Sequence, residues 1–88
     1  MNVLIIEDEQ PAAKRLHKML KEIEPDINVL DSIVSVSTAI KWFAENKTPE
    51  LIFSDIQLSD GLSFEIFKSV NLNCPVIFTT AYDQYRSE

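Results

Sequence analysis

Acidic residues directly follow two short apolar segments of this sequence. Residues 3–6 are all aliphatic and precede Glu7 and Asp8. The largely apolar residues 51–54 precede Asp55. If these segments form neighbouring parallel strands, their carboxyl ends meet at one edge of a sheet, where ligands and chemistry gather in open α/β folds. The pattern therefore predicts that the carboxylates converge on one site.

A cluster of carboxylates needs a compensating charge. Two unit charges about 4 Å apart repel by roughly 4 kcal/mol at an effective dielectric constant of about 20. A hard divalent cation removes this repulsion, and Mg²⁺ prefers carboxylate oxygens while keeping several water ligands that an incoming phosphoryl oxygen can replace. The acidic cluster therefore predicts a magnesium site suited to phosphoryl chemistry.

The elements that must position these acids follow from the alternation of apolar strands and amphipathic helices. Strands are predicted over residues 3–6, 27–34, 51–55 and 75–79, and helices over residues 10–23, 35–46 and 63–70. We expect the 27–34 strand to lie at the edge of the sheet, because its apolar positions alternate only in part. Apolar strands joined to helices by short links predict a doubly wound parallel sheet, with helices on both faces.

Helical spacing also predicts which residues are buried. The apolar positions of the first helix are Ala12, Ala13, Leu16, Met19, Leu20 and Ile23. Those of the third helix are Leu62, Ile66, Phe67 and Val70. For the second helix, Ser35 and Ser37 are the candidate N-caps. Asp60 and Gly61 are expected to form a turn.

The length and net charge of the chain exclude several classes of function. With 88 residues, the chain has room for one small domain. Its formal net charge of −6 argues against direct nucleic-acid binding, which needs a basic surface. No apolar run approaches the roughly 20 residues of a membrane span, and the N-terminus does not resemble a signal peptide. We therefore expect a cytoplasmic protein that contacts neither a membrane nor nucleic acid through this segment.

Three motifs resemble the receiver domain of two-component response regulators. They are residues 6–9, 55–58 and 78–82, which follow or end the first, third and fourth strands. Their residues are most similar to those of receivers that precede a LytTR-type DNA-binding domain. The resemblance implies a flavodoxin-like parallel sheet with strand order 2-1-3-4-5, of which four strands are expected here.

The resemblance also implies a role for each residue of the acidic site. Asp55 would be the phosphoacceptor, taking a phosphoryl group from a phosphohistidine of a sensor histidine kinase. Asp8, Asp55 and Glu7 would hold Mg²⁺, and the backbone carbonyl of Gln57 would be a further ligand. Such a domain is a phosphoacceptor rather than an enzyme, with at most weak self-catalysed phosphorylation and dephosphorylation.

The same motifs imply roles for further residues. Thr80 would be the switch hydroxyl that donates a hydrogen bond to the phosphoryl oxygen, and Thr79 is the competing candidate. Gln57 and Tyr82 stand where receivers tune the lifetime of the phosphoryl group.

The sequence ends before the last helix, strand and helix of the family pattern, so the lysine that closes the site in other receivers is absent. We therefore expect residues 1–88 to be a truncated receiver domain without an effector domain.

The truncation suggests an uncovered edge on the fourth strand, at residues 76–78. An exposed apolar edge invites pairing with another chain, so we expect self-association there or a remnant of a longer protein. A truncated, non-signalling interaction module, which docks a kinase or regulator without phosphotransfer, is the main alternative function. Phosphorylation of Asp55 distinguishes the two.

Two other families fit less well. A haloacid-dehalogenase-like phosphohydrolase needs a second aspartate two residues after its nucleophile, where this sequence has Gln57. A flavodoxin-like cofactor binder needs a phosphate loop rich in serine, threonine and glycine. The acidic residues 7–9 would repel a phosphate unless a metal intervened.

Overall fold

The computed structural model describes residues 1–79. Its elements are β1 (Asn2–Ile6), α1 (Gln10–Ile23), β2 (Asn28–Ile33), α2 (Val36–Glu45), β3 (Leu51–Asp55), β4 (Gln57–Leu58), β5 (Gly61–Leu62), α3 (Phe64–Ser69) and β6 (Val76–Thr79). No helix within this range is long and apolar enough to cross a membrane.

Four strands form one parallel sheet in the order β2-β1-β3-β6, and β2 lies at an edge as predicted. The register places Ile6 opposite Ser54 and Asp55 opposite Thr79. The carboxyl ends of β1, β3 and β6 therefore meet at one edge of the sheet. This arrangement confirms the predicted flavodoxin-like α/β architecture.

The core lies on both faces of the sheet because β1 is covered on both sides. Its apolar residues have no exposed surface, and they alternate between two clusters. Val3 and Ile5 pack with Ala13 and Leu20 of α1. Leu4 and Ile6 pack with α2 and α3 in a cluster that also contains Ile33, Val36, Ala39, Ile52, Leu58 and Ile66. The helices thus hold the central strands, and with them the strand ends that carry the acids.

The helix boundaries follow local chemistry. Pro11 lies in the first turn of α1, where a missing N–H costs nothing. The Ser35 Oγ accepts a hydrogen bond from the Thr38 N–H at 3.1 Å, so Ser35 rather than Ser37 is the N-cap of α2.

The prediction of buried positions was wrong for three residues. Met19 is 49% exposed and Ile23 is 73% exposed, because in residues 1–79 no element covers that side of α1. Leu62 is 43% exposed, because it belongs to β5 and not to the third helix, which starts only at Phe64. Helical spacing identifies a shared face but does not say whether another element covers it.

A short hairpin follows the Asp55 strand and was not predicted. β4 and β5 pair antiparallel, with Gln57 opposite Leu62 and Leu58 opposite Gly61. The turn between them lies at residues 59–60, one residue earlier than expected. Gly61 has a φ of +146°, a conformation that side chains disfavour, so glycine is required where the chain leaves this turn.

Candidate functional site

The three predicted acids lie together at the carboxyl end of the sheet. Glu7 and Asp8 follow β1, and Asp55 is the last residue of the adjacent strand β3. One carboxylate oxygen from each of the three lies within 4.8 Å of the others. All three side chains are half-buried. The convergence expected from the strand pattern is therefore present, while the role of each acid stays a prediction.

Backbone hydrogen bonds hold the first acidic loop in place. The Glu7 N–H donates to the Ile33 carbonyl at 2.8 Å, which continues the pairing of β1 with β2. The Glu9 N–H then donates to Glu7 Oε2 at 3.2 Å, and the Ala13 N–H donates to the Glu9 carbonyl as α1 begins. Neighbouring residues of a regular strand point to opposite faces. Glu7 and Asp8 can reach the same site because the chain leaves the sheet between them.

Asp55 is oriented by its own backbone. Its Oδ1 accepts a hydrogen bond from the Ile56 N–H at 2.8 Å. Within residues 1–79, Oδ2 has no hydrogen-bond donor. Thr79 lies opposite Asp55 on β6 and is half-buried. Among the described residues, the backbone therefore fixes Oδ1 and leaves Oδ2 without a partner.

The clustering of acids changes the proton affinity of Glu7. Partial burial, together with the negative charges of Asp55 and Asp8, raises its pKa from the ordinary value of 4.5 to about 7. The hydrogen bond from the Glu9 N–H opposes this rise. Without a cation, the cluster therefore holds a proton near neutral pH. A site with this property favours a bound cation, which takes the place of the proton.

The raised pKa of Glu7 predicts how stability depends on pH. In the folded chain, Glu7 keeps its proton up to about pH 7, whereas the unfolded chain releases it near pH 4.5. The folded state therefore binds more protons between these values, and the free energy of unfolding falls as the pH rises through this window. Urea unfolding in a chelator should show this decline, and Glu7→Gln should reduce it. An unchanged slope in Glu7→Gln would contradict the assignment.

The acids lie in an open depression with walls on two sides. α1 contributes Arg15, and the hairpin contributes Gln57 and Ser59. Sequence analysis missed Arg15, because it had no reason to separate this residue from the other basic residues of the helix. Among residues 1–79, the open side leaves room for water and for a phosphate-bearing molecule. Clustered carboxylates with an open side fit a hard, partly hydrated cation such as Mg²⁺.

The structure describes only two of the other four residues predicted for the site. Gln57 is the first residue of β4, and its exposed side chain lines the depression. Thr79, the competing switch candidate, lies at the same edge of the sheet. Thr80 and Tyr82 lie outside the described residues.

One residue of the hairpin beside this depression was not predicted to have any long-range role. The Asp60 carboxylate accepts hydrogen bonds from the Val36 and Ser37 N–H groups, at 2.8 Å and 3.1 Å. The Asp-Gly pair predicted only a turn. No local pattern could have shown that the turn contacts a helix 24 residues earlier in the chain.

Comparisons with known proteins agree with this arrangement. The family model described as the response regulator receiver domain matches residues 3–87. The sensory transduction protein LytT of Bacillus anthracis is 36% identical over 88 residues, which cover 97% of this chain and 35% of that protein. The chain thus spans about a third of the length of the curated relatives it matches.

Solved structures of response regulators also resemble this fold. The N-terminal domain of a response regulator/sensory box/GGDEF 3-domain protein from Carboxydothermus hydrogenoformans is 25% identical, with a TM-score of 0.80, and the match covers 92% of this chain and 65% of that one. The anti-anti-sigma factor PhyR from Bartonella quintana is 31% identical, with a TM-score of 0.73. That match covers 99% of this chain and 38% of the PhyR chain.

Proposed function

The chain belongs to the response regulator receiver domains, and from this membership we propose that it accepts a phosphoryl group on Asp55 in a Mg²⁺-dependent reaction. Receiver domains are regulatory modules rather than classical enzymes. The donor would be a phosphohistidine of a sensor histidine kinase. The observation that carries the proposal is the convergence of Glu7, Asp8 and Asp55 within 4.8 Å at the carboxyl end of the sheet.

The metal would be held by the acids and by one backbone group. Asp8, Asp55 and Glu7 would provide carboxylate oxygens, and Gln57 would provide its carbonyl oxygen. When bound, Mg²⁺ would supply positive charge against the carboxylates and the phosphoryl oxygens. The raised pKa of Glu7 supports this assignment, because it reflects burial and uncompensated negative charge at this place.

Asp55 performs the chemical step as the nucleophile. The Ile56 N–H holds Oδ1, so Oδ2 attacks the phosphorus. A P–O bond forms and the P–N bond of the phosphohistidine breaks. The electron pair of that bond stays on the imidazole nitrogen, which takes up a proton from water. Positioning and charge neutralisation carry most of such a transfer, so no separate general base is needed.

A threonine hydroxyl from the motif at residues 78–82 would then sense the phosphoryl group. We assign this role to Thr80, by its place in the family motif. Thr79 is the alternative, and its position opposite Asp55 in the register supports it.

A small phosphodonor tests the proposed activity without the kinase. We expect the chain to gain the mass of one phosphoryl group when it is incubated with acetyl phosphate and Mg²⁺. The same incubation in a chelator should give no gain. Intact mass spectrometry makes the comparison. An equal gain with and without the metal would contradict the proposed magnesium site.

The longer protein is a further part of the proposal. We propose that these residues are the receiver part of a DNA-binding transcriptional regulator with a LytTR-type output domain. The similarity to LytT over about a third of that protein supports this assignment.

A second candidate function is protein docking without phosphotransfer. Phe64 and Phe78 pack edge to face, with ring centroids 5.2 Å apart, and both are exposed on the surface of the described residues. The similarity to the anti-anti-sigma factor PhyR supports docking to a regulator. This candidate predicts that the phosphodonor leaves the mass of the chain unchanged.

The outer strand β6 also provides a surface for self-association. Among the described residues it is the edge of the sheet, and Ile77 is 47% exposed on it. We expect light scattering to show a mass that rises with concentration and an Ile77→Lys variant that remains monomeric. Leu30→Lys is the matched control, because Leu30 is an exposed leucine on β2 at the opposite edge. A monomeric parent at high concentration would exclude the association.

A further inference from the structure

One carboxylate ties the hairpin after β3 to the start of α2. Asp60 Oδ1 accepts from the Val36 N–H at 2.8 Å, and Oδ2 accepts from the Ser37 N–H at 3.1 Å. The N–H groups in the first turn of a helix have no carbonyl partner within the helix, and a negative charge there is favourable. The same two hydrogen bonds lower the pKa of Asp60, so its carboxylate is charged at neutral pH.

The other end of this segment is anchored by a buried serine. The Ser63 N–H and the Ser63 Oγ both donate to the Ile56 carbonyl, at 2.8 Å and 3.1 Å. The Ser63 side chain is fully buried. At the tip, a Cβ built on Gly61 would lie 3.8 Å from Val36 Cγ2, so the hairpin packs directly on α2. The hairpin is therefore fixed at its base by Ser63 and at its tip by Asp60.

The hairpin needs these anchors because it is too short to hold itself. β4 and β5 contain two residues each, and even longer isolated hairpins are only marginally stable in water. Gln57 lies in β4, two residues after Asp55. The position of its carbonyl is therefore set on one side by the sheet and on the other by the anchored hairpin.

We propose that Asp60 is a positioning residue for the acidic site. By holding the hairpin on α2, Asp60 fixes the Gln57 carbonyl at the place where the metal would bind. Mg²⁺ demands near-ideal octahedral geometry, so a carbonyl that moves freely is a poorer ligand than one held in place. This inference rests on the proposed function for its metal, but the anchoring itself can be measured without a metal.

The test compares two variants that each remove a side-chain cap from α2. Asp60→Ala removes the acceptors of the Val36 and Ser37 N–H groups, and Ser35→Ala removes the acceptor of the Thr38 N–H. Asp60 is part of the hairpin, whereas Ser35 is not. Hydrogen exchange at the Ser63 amide reports the anchoring of the hairpin, and calorimetric titration with MgCl₂ reports the affinity of the site.

In Asp60→Ala, we expect Ser63 exchange to be about tenfold faster, as the loss of charge-assisted hydrogen bonds implies. We expect the Kd for Mg²⁺ to rise by a similar factor of about ten. Ser35→Ala should lower the thermal midpoint but leave both quantities within about twofold of the parent. Asp60→Asn keeps one acceptor oxygen and should give intermediate values. It serves for the same comparison if Asp60→Ala does not fold.

The outcomes separate this inference from the proposed function. Equal effects of Asp60→Ala and Ser35→Ala would make Asp60 an ordinary helix cap and overturn the inference. Unchanged Ser63 exchange in Asp60→Ala would overturn it even if the parent binds Mg²⁺. A parent that does not bind Mg²⁺ would instead overturn the proposed metal site, and Ser63 exchange would then decide the anchoring alone.

Discussion

Asp55→Asn is expected to abolish the gain of a phosphoryl group from acetyl phosphate and Mg²⁺. An amide oxygen is a far weaker nucleophile than a carboxylate oxygen, so no acyl phosphate forms. The fold should survive, because the asparagine oxygen can still accept the hydrogen bond from the Ile56 N–H that Asp55 Oδ1 accepts at 2.8 Å. Intact mass and the thermal midpoint, measured on the same sample, distinguish lost chemistry from lost structure.

Asp31→Asn is the matched control for this variant. Asp31 lies on β2, and its Oδ1 accepts a hydrogen bond from the N–H of the next residue at 2.8 Å, which is the local geometry of Asp55. It is exposed and lies outside the acidic cluster. Asp31→Asn should therefore be phosphorylated like the parent. A phosphoryl gain that persists in Asp55→Asn would show that another residue accepts the group.

Asp8→Asn is expected to weaken Mg²⁺ binding by about tenfold or more, equivalent to roughly 1.4 kcal/mol or more of binding free energy. Affinity of a hard cation depends on the number of charged oxygen ligands, and this variant removes one of the three clustered carboxylates. It should also lower the pKa of Glu7, because the charge of Asp8 contributes to raising it. Calorimetry measures the first effect, and the pH dependence of metal-free stability measures the second.

Asp26→Asn controls for the change in net charge. Asp26 is an exposed acid in the turn before β2, outside the acidic cluster, and its replacement removes the same single charge. We expect the affinity for Mg²⁺ to stay within about twofold of the parent, since exposed charges beyond a Debye length are largely screened. If both variants weakened binding equally, the effect would come from the overall field of this acidic chain, and Asp8 would not be a ligand.

Much of the fold could be predicted from the sequence because its strands are short, apolar and bounded by clear signals. Residues 3–6 and 51–54 are dense enough in apolar side chains to require cover on both faces, which fixes a parallel sheet with helices on each side. The same reasoning places Asp55 at a strand end. The meeting of Asp55 with Glu7 and Asp8 follows from parallel pairing and needs no side-chain detail.

The parts that could not be predicted depend on contacts between distant residues. The link from Asp60 to α2 joins positions 24 apart in the chain, and nothing local distinguishes Asp60 from any other turn aspartate. The pKa of Glu7 depends on how far the strand end is buried. Met19 and Leu62 show the same limit, because an apolar residue at helical spacing is buried only if another element covers it.

The proposed function requires that Asp55 itself carries the phosphoryl group. Borohydride reduces an aspartyl phosphate to homoserine, so the modified position can be read by peptide mass spectrometry after treatment with acetyl phosphate and Mg²⁺. We predict homoserine at position 55 and at no other acid. Homoserine at position 8, or a phosphorylated chain that yields no homoserine at all, would contradict the account.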